Sequence, residues 1–314
     1  MNFIKPKIII SKCLEHDACR FDGQLINNKY IKKLKSFIDF TTVCPEVEIG
    51  MGIPRKPIRI IHDDDKIMLR QSETNIDFST DMNNFSKDYL SKIKQIDGFI
   101  LKSASPSCGI SSTKVFQRKH PAPIGKGPGL FAAEIIKIFP NHPKEEEKRL
   151  NNALLREHFF TAIFTIADFR SVKSFDSLYK YHAKHKYLFM SYNQTLMRKM
   201  GKIAANDYSL SIEEVKNLYY ESLLKIFIKK SRYKANINTQ MHVMGYFKKD
   251  LTPKEKKLFL EKLESYRNKK TPISGINNML YSWIVRFENE YLMNQSFFNP
   301  FPEELIEEDV SRFL

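Results

Sequence analysis

Residues 7–13 read Lys-Ile-Ile-Ile-Ser-Lys-Cys, and residues 98–108 read Gly-Phe-Ile-Leu-Lys-Ser-Ala-Ser-Pro-Ser-Cys. In each, a short β-branched or apolar run gives way to a polar, turn-forming stretch that ends on cysteine. Residues 40–43, Phe-Thr-Thr-Val, run directly into Cys44-Pro45-Glu46 and repeat the pattern. We read 7–11, 40–43, 58–62 and 98–102 as strands. Helical spacing marks 28–38, 85–96 and 130–139; the last is opened by Gly127-Pro128-Gly129 and closed by Pro140. Strands alternating with helices predict an α/β N-terminal domain, a Rossmann-like sandwich with a mainly parallel sheet.

Beyond a charged connector at 141–149, read as a linker or a helix start, strand signals fade. Residues 154–169, 175–192, 196–205, 212–230, 238–247, 253–269 and 273–292 all have helical periodicity. Thr252-Pro253 supplies a cap followed by proline at the first helical position, with Glu255 in the first turn. The expected organisation is an α/β domain over 1–145 and an all-α domain over 146–314.

Hydrophobic residues make up 42% and charged residues 28% of the chain, and mean hydropathy is −0.41. That balance excludes a disordered chain and supplies enough apolar mass for a core. No run approaches the ~18 apolar residues of a spanning helix. The first eleven residues hold only a three-residue apolar run, which reads as a strand and not as a signal peptide. A cytoplasmic protein without a membrane partner is expected.

The formal net charge is +15. Residues 1–150 carry +7, residues 151–300 carry +12, and the last fourteen carry −4. Such an excess points to a polyanionic partner. Two basic groups stand out in the helical half: Lys225, Lys229, Lys230, Arg232 and Lys234, then His242, Lys248 and Lys249. Tyr233, Tyr246 and Phe247 interleave with them and are candidates for stacking on exposed bases. The alternative is a solvated helix face with its tyrosines in the core. His182 and His185 are open to both readings. Asp63-Asp64-Asp65 is read as a solvated turn in preference to a Mg²⁺ site.

All four cysteines, Cys13, Cys19, Cys44 and Cys108, lie in the first 108 residues. Disulfides are not expected in the cytoplasm, so metal or thiol chemistry is the better reading. Cys13, Cys44 and Cys108 each follow a strand, and the carboxyl ends of strands in an open α/β sheet form the ligand-binding edge. Three converging thiolates suit an Fe–S cluster with one open iron, or a zinc site with an open position; thiolates alone do not decide between them.

Ser11-Lys-Cys13-Leu14 with Cys19-Arg-Phe-Asp-Gly23, then Cys44-Pro-Glu46-Val47 with Gly52-Ile-Pro-Arg55, then Lys102-Ser-Ala-Ser105-Pro-Ser-Cys108-Gly109, resemble in order and spacing the motifs of the thiouracil desulfidase (TudS) family. The resemblance covers roughly residues 5–145. The chain departs from the family pattern at Glu15-His16, where relatives carry Leu-Gly, and at Phe21, where they carry Tyr. Tyr181-His-Ala-Lys-His-Lys-Tyr-Leu188, His242-Val-Met-Gly-Tyr-Phe-Lys-Lys249 and Asn299-Pro-Phe-Pro-Glu-Glu-Leu305 resemble the YbgA-like helical domain. The two in this order resemble the RudS-type desulfidases of 4-thiouridine in tRNA. The resemblance implies a 4Fe-4S cluster held by Cys13, Cys44 and Cys108 with one iron free of protein ligands; Cys19, which many relatives also carry, is read as a small buried residue in preference to a ligand.

It further implies hydrolytic, non-redox removal of sulfur from a thiolated pyrimidine. Glu46 would be the acid or base, and Ser105 or Ser103 would bond substrate or water. The partner would be tRNA, held by the basic groups of the helical half. Two alternatives remain at this point: a desulfidase of free thiouracil, and a non-catalytic RNA-binding protein stabilised by metal.

Overall fold

The computed structural model describes residues 3–63, 66–118, 122–206 and 209–306. Two compact units divide the chain, one over Ile4–Phe159 and one over Phe160–Ile306. In chain order the first contains β1 (Lys7–Ser11), α1 (Lys29–Leu34), β2 (Asp39–Val43), α2 (Pro45–Glu48), β3 (Ile58–Asp63), β4 (Lys66–Gln71), α3 (Ser79–Ser91), β5 (Gly98–Leu101), β6 (Thr113–Phe116), β7 (Pro123–Gly127), α4 (Leu130–Ile138) and β8 (Lys144–Glu146), and it ends inside α5 (Ala153–Asp168).

The first sheet has the order β2-β1-β5-β8, and every pairing in it is parallel. Ile8, Ile9 and Ile10 of β1 are all buried, as expected of a central parallel strand covered on both faces. The second sheet, β4-β3-β6-β7, is mixed: β3/β4 and β6/β7 pair antiparallel, and β3/β6 pair parallel. Its burial alternates. Ile58 and Ile60 are buried while Arg59 is exposed, so one face packs on the core and the other is open. The core joins strand residues such as Ile9, Ile60 and Phe99 to Leu90 of α3 and Phe131 and Ile135 of α4.

Several expectations shift. Helix 28–38 is the shorter α1; the Asn28 side chain starts it by accepting from the Tyr30 and Ile31 amides. Helix 85–96 is α3, which begins and ends earlier, and Ile96 is buried in the turn before β5. The connector at 141–149 is neither linker nor helix start. It holds β8, whose Glu145 and Glu146 are buried. A boundary at 145/146 would therefore cut a paired strand, and the two compact units part at Phe159/Phe160.

The second unit is helical: the rest of α5, α6 (Phe175–Ala205), α7 (Ile212–Ile226), α8 (Tyr233–Met244), α9 (Pro253–Arg267), α10 (Ile273–Arg286) and α11 (Glu290–Met293). The two helices expected over 175–205 are one element broken at Asn193, whose backbone is extended (φ −158°) and whose side chain accepts from the Leu196 amide at 3.0 Å. The stretch 273–292 is two helices, because Glu288 adopts a left-handed φ of 50° between them. His185 is buried between Asp168 Oδ2 at 2.8 Å and Ser296 Oγ at 2.7 Å. His182 Nδ1 lies 2.9 Å from the Tyr219 hydroxyl. His185 thus belongs to the core, and the half-buried His182 is tied to it through Tyr219. Among the described residues no helix is long and apolar enough to cross a membrane. Asp64 and Asp65 lie outside the described residues, and Asp63 stands 3.8 Å from Arg118 Nε.

Candidate functional site

Register brings the cysteine loops together. Ser11 aligns with Val43, and Ile10 with Ile100, so β1, β2 and β5 end at one edge of the first sheet. The Lys12 amide donates to Val43 O at 2.8 Å, and the Lys102 amide donates to Ser11 Oγ at 3.0 Å. These bonds carry the strand alignment into the loops. Cys13, Cys19, Cys44 and Cys108 are all buried free thiols, and all four line one cavity of about 420 Å³.

The thiols influence one another. Hydrogen bonding to Cys13 is the main reason Cys19 is pushed up to about 11. The Cys19 bond and burial raise Cys44 further, and burial pushes Cys108 up to about 12. Cys19 is therefore buried, as its sequence context suggests, and it also stands at the cavity wall beside the three other thiols. Among the described residues, no three His, Cys, Asp or Glu side chains are placed to hold a single metal ion.

Glu46 enters the same cavity from the first turn of α2, which Pro45 opens directly after Cys44. Its Oε2 accepts from Arg55 Nε at 2.8 Å and lies 2.6 Å from Arg55 Nη2. Its Oε1 accepts from Ser107 Oγ at 2.9 Å. Arg55 in turn donates through Nη1 to Cys19 O and Gly52 O, both at 3.0 Å. One guanidinium thus ties the Glu46 carboxylate to the Cys19 loop. In the sequence Arg55 reads only as part of a motif, and Ser107 reads as a turn former. The usable signal is a charged residue closing a Gly-Ile-Pro turn.

The serines divide by role. Ser105 Oγ accepts from the Ser107 and Cys108 amides at 3.2 and 3.1 Å, so it shapes the turn that presents Cys108. The Ser103 hydroxyl donates to Glu147 Oε1 at 2.7 Å, and Lys102 Nζ donates to the same oxygen at 2.9 Å. Glu146 Oε1 accepts from the Ile110 amide at 2.7 Å, the Ser111 amide at 3.2 Å and the Ser112 hydroxyl at 2.8 Å. Two buried glutamates at the end of β8 therefore clamp the segment on either side of Cys108. From the opposite side, α4 donates through the amides of Gly129, Leu130 and Ala132 to Gly109 O, Pro106 O and Ser107 O. A Cβ at Gly129 would stand 2.5 Å from Pro106 O, so only glycine permits this approach.

Comparison with known proteins gives this geometry a family. Residues 8–147 match the family model described as 2-thiouracil desulfurase. The YbbK protein of Bacillus subtilis, itself uncharacterized, is 31% identical over 110 residues, covering 32% of this chain and 72% of the relative. This chain belongs to the 2-thiouracil desulfurase family. A solved structure, the [4Fe-4S]-dependent thiouracil desulfidase TudS, is 25% identical, spans 49% of this chain and 98% of its own, and superposes with a TM-score of 0.39. Residues 186–302 match a family described as a protein of unknown function (DUF1722). The uncharacterized YbgA of Escherichia coli K12 is 22% identical over 127 residues, 40% of this chain and 75% of the relative.

In this desulfurase-family chain the basic groups of the helical unit are exposed at both ends of α8. Arg232 is its N-cap and Lys234 lies in its first turn; His242 lies in its last turn. Lys229 and Lys230 precede the helix, and Lys248 and Lys249 follow it. At about 1.5 Å per residue, the two groups stand on the order of 18 Å apart along the axis. Lys225, at the end of α7, lies 3.8 Å from Glu221. Of the tyrosines, Tyr246 is exposed and stacks at 6.1 Å on Tyr291, while Phe247 is buried.

Proposed function

We infer that the protein hydrolytically removes sulfur from 4-thiouridine in tRNA, leaving uridine. The observation that carries this reading is the cavity lined by Cys13, Cys44, Cys108, Glu46 and Arg55, with Ser107 bonded to the Glu46 carboxylate. The donor chemistry fits a 4Fe-4S cluster. Soft, buried thiols are free and gathered at one sheet edge, and none is spent on a disulfide. A cluster of several irons would not require the three thiols to converge on one point. Cys13, Cys44 and Cys108 would hold it. When bound with one iron free of protein thiolate, the cluster supplies a thiophilic Lewis acid.

The chain's own residues handle the proton and the water. Exchange of C=S for C=O consumes one water and releases one hydrosulfide and one proton, with no change in oxidation state. Glu46, steered by Arg55 and Ser107, accepts one proton of the attacking water and returns it to sulfur as hydrosulfide departs, while the remaining hydroxyl proton passes to solvent as the carbonyl forms. Its fixed orientation limits the reorganisation that this transfer needs. Ser105 keeps the Cys108 turn in shape. Ser103 acts through Glu147 to anchor the same segment.

RNA as the substrate is supported by the charge of the second unit. Arg232 and Lys234 stand at the positive end of the α8 dipole, where cations are unfavourable until an anion neutralises them. A target base held in a tRNA stack has to leave it to reach a recessed cavity. The deciding experiment is anaerobic reconstitution with iron and sulfide, followed by nucleoside analysis of treated bulk tRNA. Loss of 4-thiouridine with a matching gain of uridine is expected. Unchanged 4-thiouridine, with free thiouracil consumed, would assign the activity to the free base.

A further inference from the structure

The open face of the second sheet carries a row of positive charge that the motifs do not involve. Arg59 of β3 pairs directly with Arg70 of β4, and Lys114 of β6 pairs with Lys126 of β7. The parallel register Ile60↔Val115 sets Arg59 beside Lys114, one position earlier. Arg70, Arg59, Lys114 and Lys126 therefore form one ladder across all four strands. Arg59, Lys114 and Lys126 are exposed. None of the four makes an ion pair among the described residues. Asp77 bridges to Arg70 through the backbone, but its Oδ1 accepts from Ser79. The Arg70 Nε is buried with no hydrogen-bond partner.

Like charges directly opposite each other on a sheet destabilise it. A ladder of four without an interposed acid is costly in the free protein and is relieved by a bound anion. Its extent defines the anion: strands about 4.8 Å apart spread four charges over about 14 Å. That is more than one phosphate engages and suits successive phosphates of a polynucleotide. Arg59 and Lys114 also line the cysteine cavity, as does Phe116, and the Arg59 guanidinium lies 4.9 Å from the Phe116 ring centroid.

We propose that this cross-strand row, Arg70–Arg59–Lys114–Lys126, is an RNA-docking surface that holds the phosphates flanking the target nucleotide at the mouth of the cavity. It rests on the reading of RNA as substrate, and it places phosphate recognition on the α/β unit itself. Phe116, which carries the Arg59 guanidinium over its ring, adds an aromatic surface beside this row.

The test uses the full chain and a tRNA transcript lacking any thiolated base, so that binding is read apart from sulfur chemistry. Affinity is measured by fluorescence anisotropy over a range of salt concentrations, all points at neutral pH. Substituting Arg59, Arg70, Lys114 and Lys126 together by Gln is expected to weaken binding roughly tenfold or more and to reduce the salt slope by about 2–3, at ~0.7 per phosphate engaged. The double variant Lys114→Gln/Lys126→Gln, which changes only exposed side chains, carries the test if the fourfold variant does not fold; its slope is expected to fall by about 1.4. An unchanged slope in the double variant overturns the proposal. Tighter binding of the wild-type chain to phosphatidylserine vesicles than to tRNA, lost in the variant, also overturns it by assigning the row to a membrane. If the wild-type chain binds tRNA through this row yet desulfurates nothing, the docking surface stands and the desulfidase reading falls.

Discussion

The Ser107 hydroxyl donates to Glu46 Oε1 over 2.9 Å, although the two residues are 61 positions apart in the chain. Through this bond the loop that presents Cys108 and the helix that follows Cys44 share one polar contact, and Arg55 completes it on the other carboxylate oxygen.

Glu46→Gln preserves the size of this side chain and removes its capacity to take a proton. Iron content after reconstitution is expected to match the wild type, while turnover falls by about 10²–10⁴-fold. Iron analysis and single-turnover nucleoside assays on one preparation check both. Near-normal turnover in an iron-replete Glu46→Gln protein would remove Glu46 from the mechanism.

Cys13→Ala, Cys44→Ala and Cys108→Ala are each expected to abolish iron uptake, whereas Cys19→Ala keeps it. Iron and acid-labile sulfide per chain, with the visible absorption of the reconstituted protein, report this directly. Equal loss of iron in Cys19→Ala and Cys13→Ala would make Cys19 a ligand.

The sequence makes some of this architecture easy to read. β1 and β5 are continuous apolar runs, and buried parallel strands carry that signal. β8, which reads as a connector, is Lys-Glu-Glu. Its burial is sustained by hydrogen bonds from Ser103, Lys102 and the 110–112 segment to Glu146 and Glu147, none of which leaves a hydropathic trace. β7, Pro-Ile-Gly-Lys-Gly, has the composition of a turn and becomes a strand only by pairing with β6. The site divides in the same way. Cysteines are rare and their placement after strands is conspicuous, so Cys13, Cys44 and Cys108 are legible. Ser107, Glu146 and Glu147 gain their roles from tertiary contacts alone.

Glu147→Ala tests the clamp. Glu147 is nearly fully buried and pairs with Lys102, whose side chain is 17% exposed. Removing one partner leaves the other charge poorly compensated, a loss on the order of 3 kcal/mol. Denaturant unfolding of the apo-protein should show a lower midpoint with an unchanged slope. A midpoint within error of the wild type would mean that the segment is held by other contacts.

Acid should weaken the helical unit through His182 and His185. Burial lowers His182 from 6.5 to about 4 and lowers His185 as well, against the pull of Asp168. Between pH 6.5 and about 4 the unfolded chain binds protons that the folded His182 does not, so stability is full above pH 6.5 and falls as pH drops through that window. The loss approaches about 3 kcal/mol for His182, at about 1.4 kcal/mol per unit. Denaturant midpoints at neutral pH and at the acid end of that window should separate less in His182→Gln than in the wild type. Equal separation would assign the acid sensitivity to other groups.

Substituting Lys229, Lys230, Arg232 and Lys234 together by Gln should weaken tRNA binding and flatten its salt dependence, by ~0.7 in slope for each phosphate no longer engaged. Turnover of free 4-thiouracil, if the wild type has it, is expected to survive, since the cysteine cavity belongs to the other unit. Equal loss on tRNA and free base would indicate a folding defect.

The peptide groups around Cys108 are already committed. The amides of Ser107 and Cys108 point to Ser105 Oγ, that of Gly109 to Ser105 O, and those of Ile110 and Ser111 to Glu146. The carbonyls of Pro106, Ser107 and Gly109 accept from the start of α4. The backbone donors at 107–111 are thus consumed in holding the loop's own shape, and none of them is left to meet charge on a substrate. Substrate range can consequently change by exchange of single side chains around the cavity, with the loop backbone left as it is.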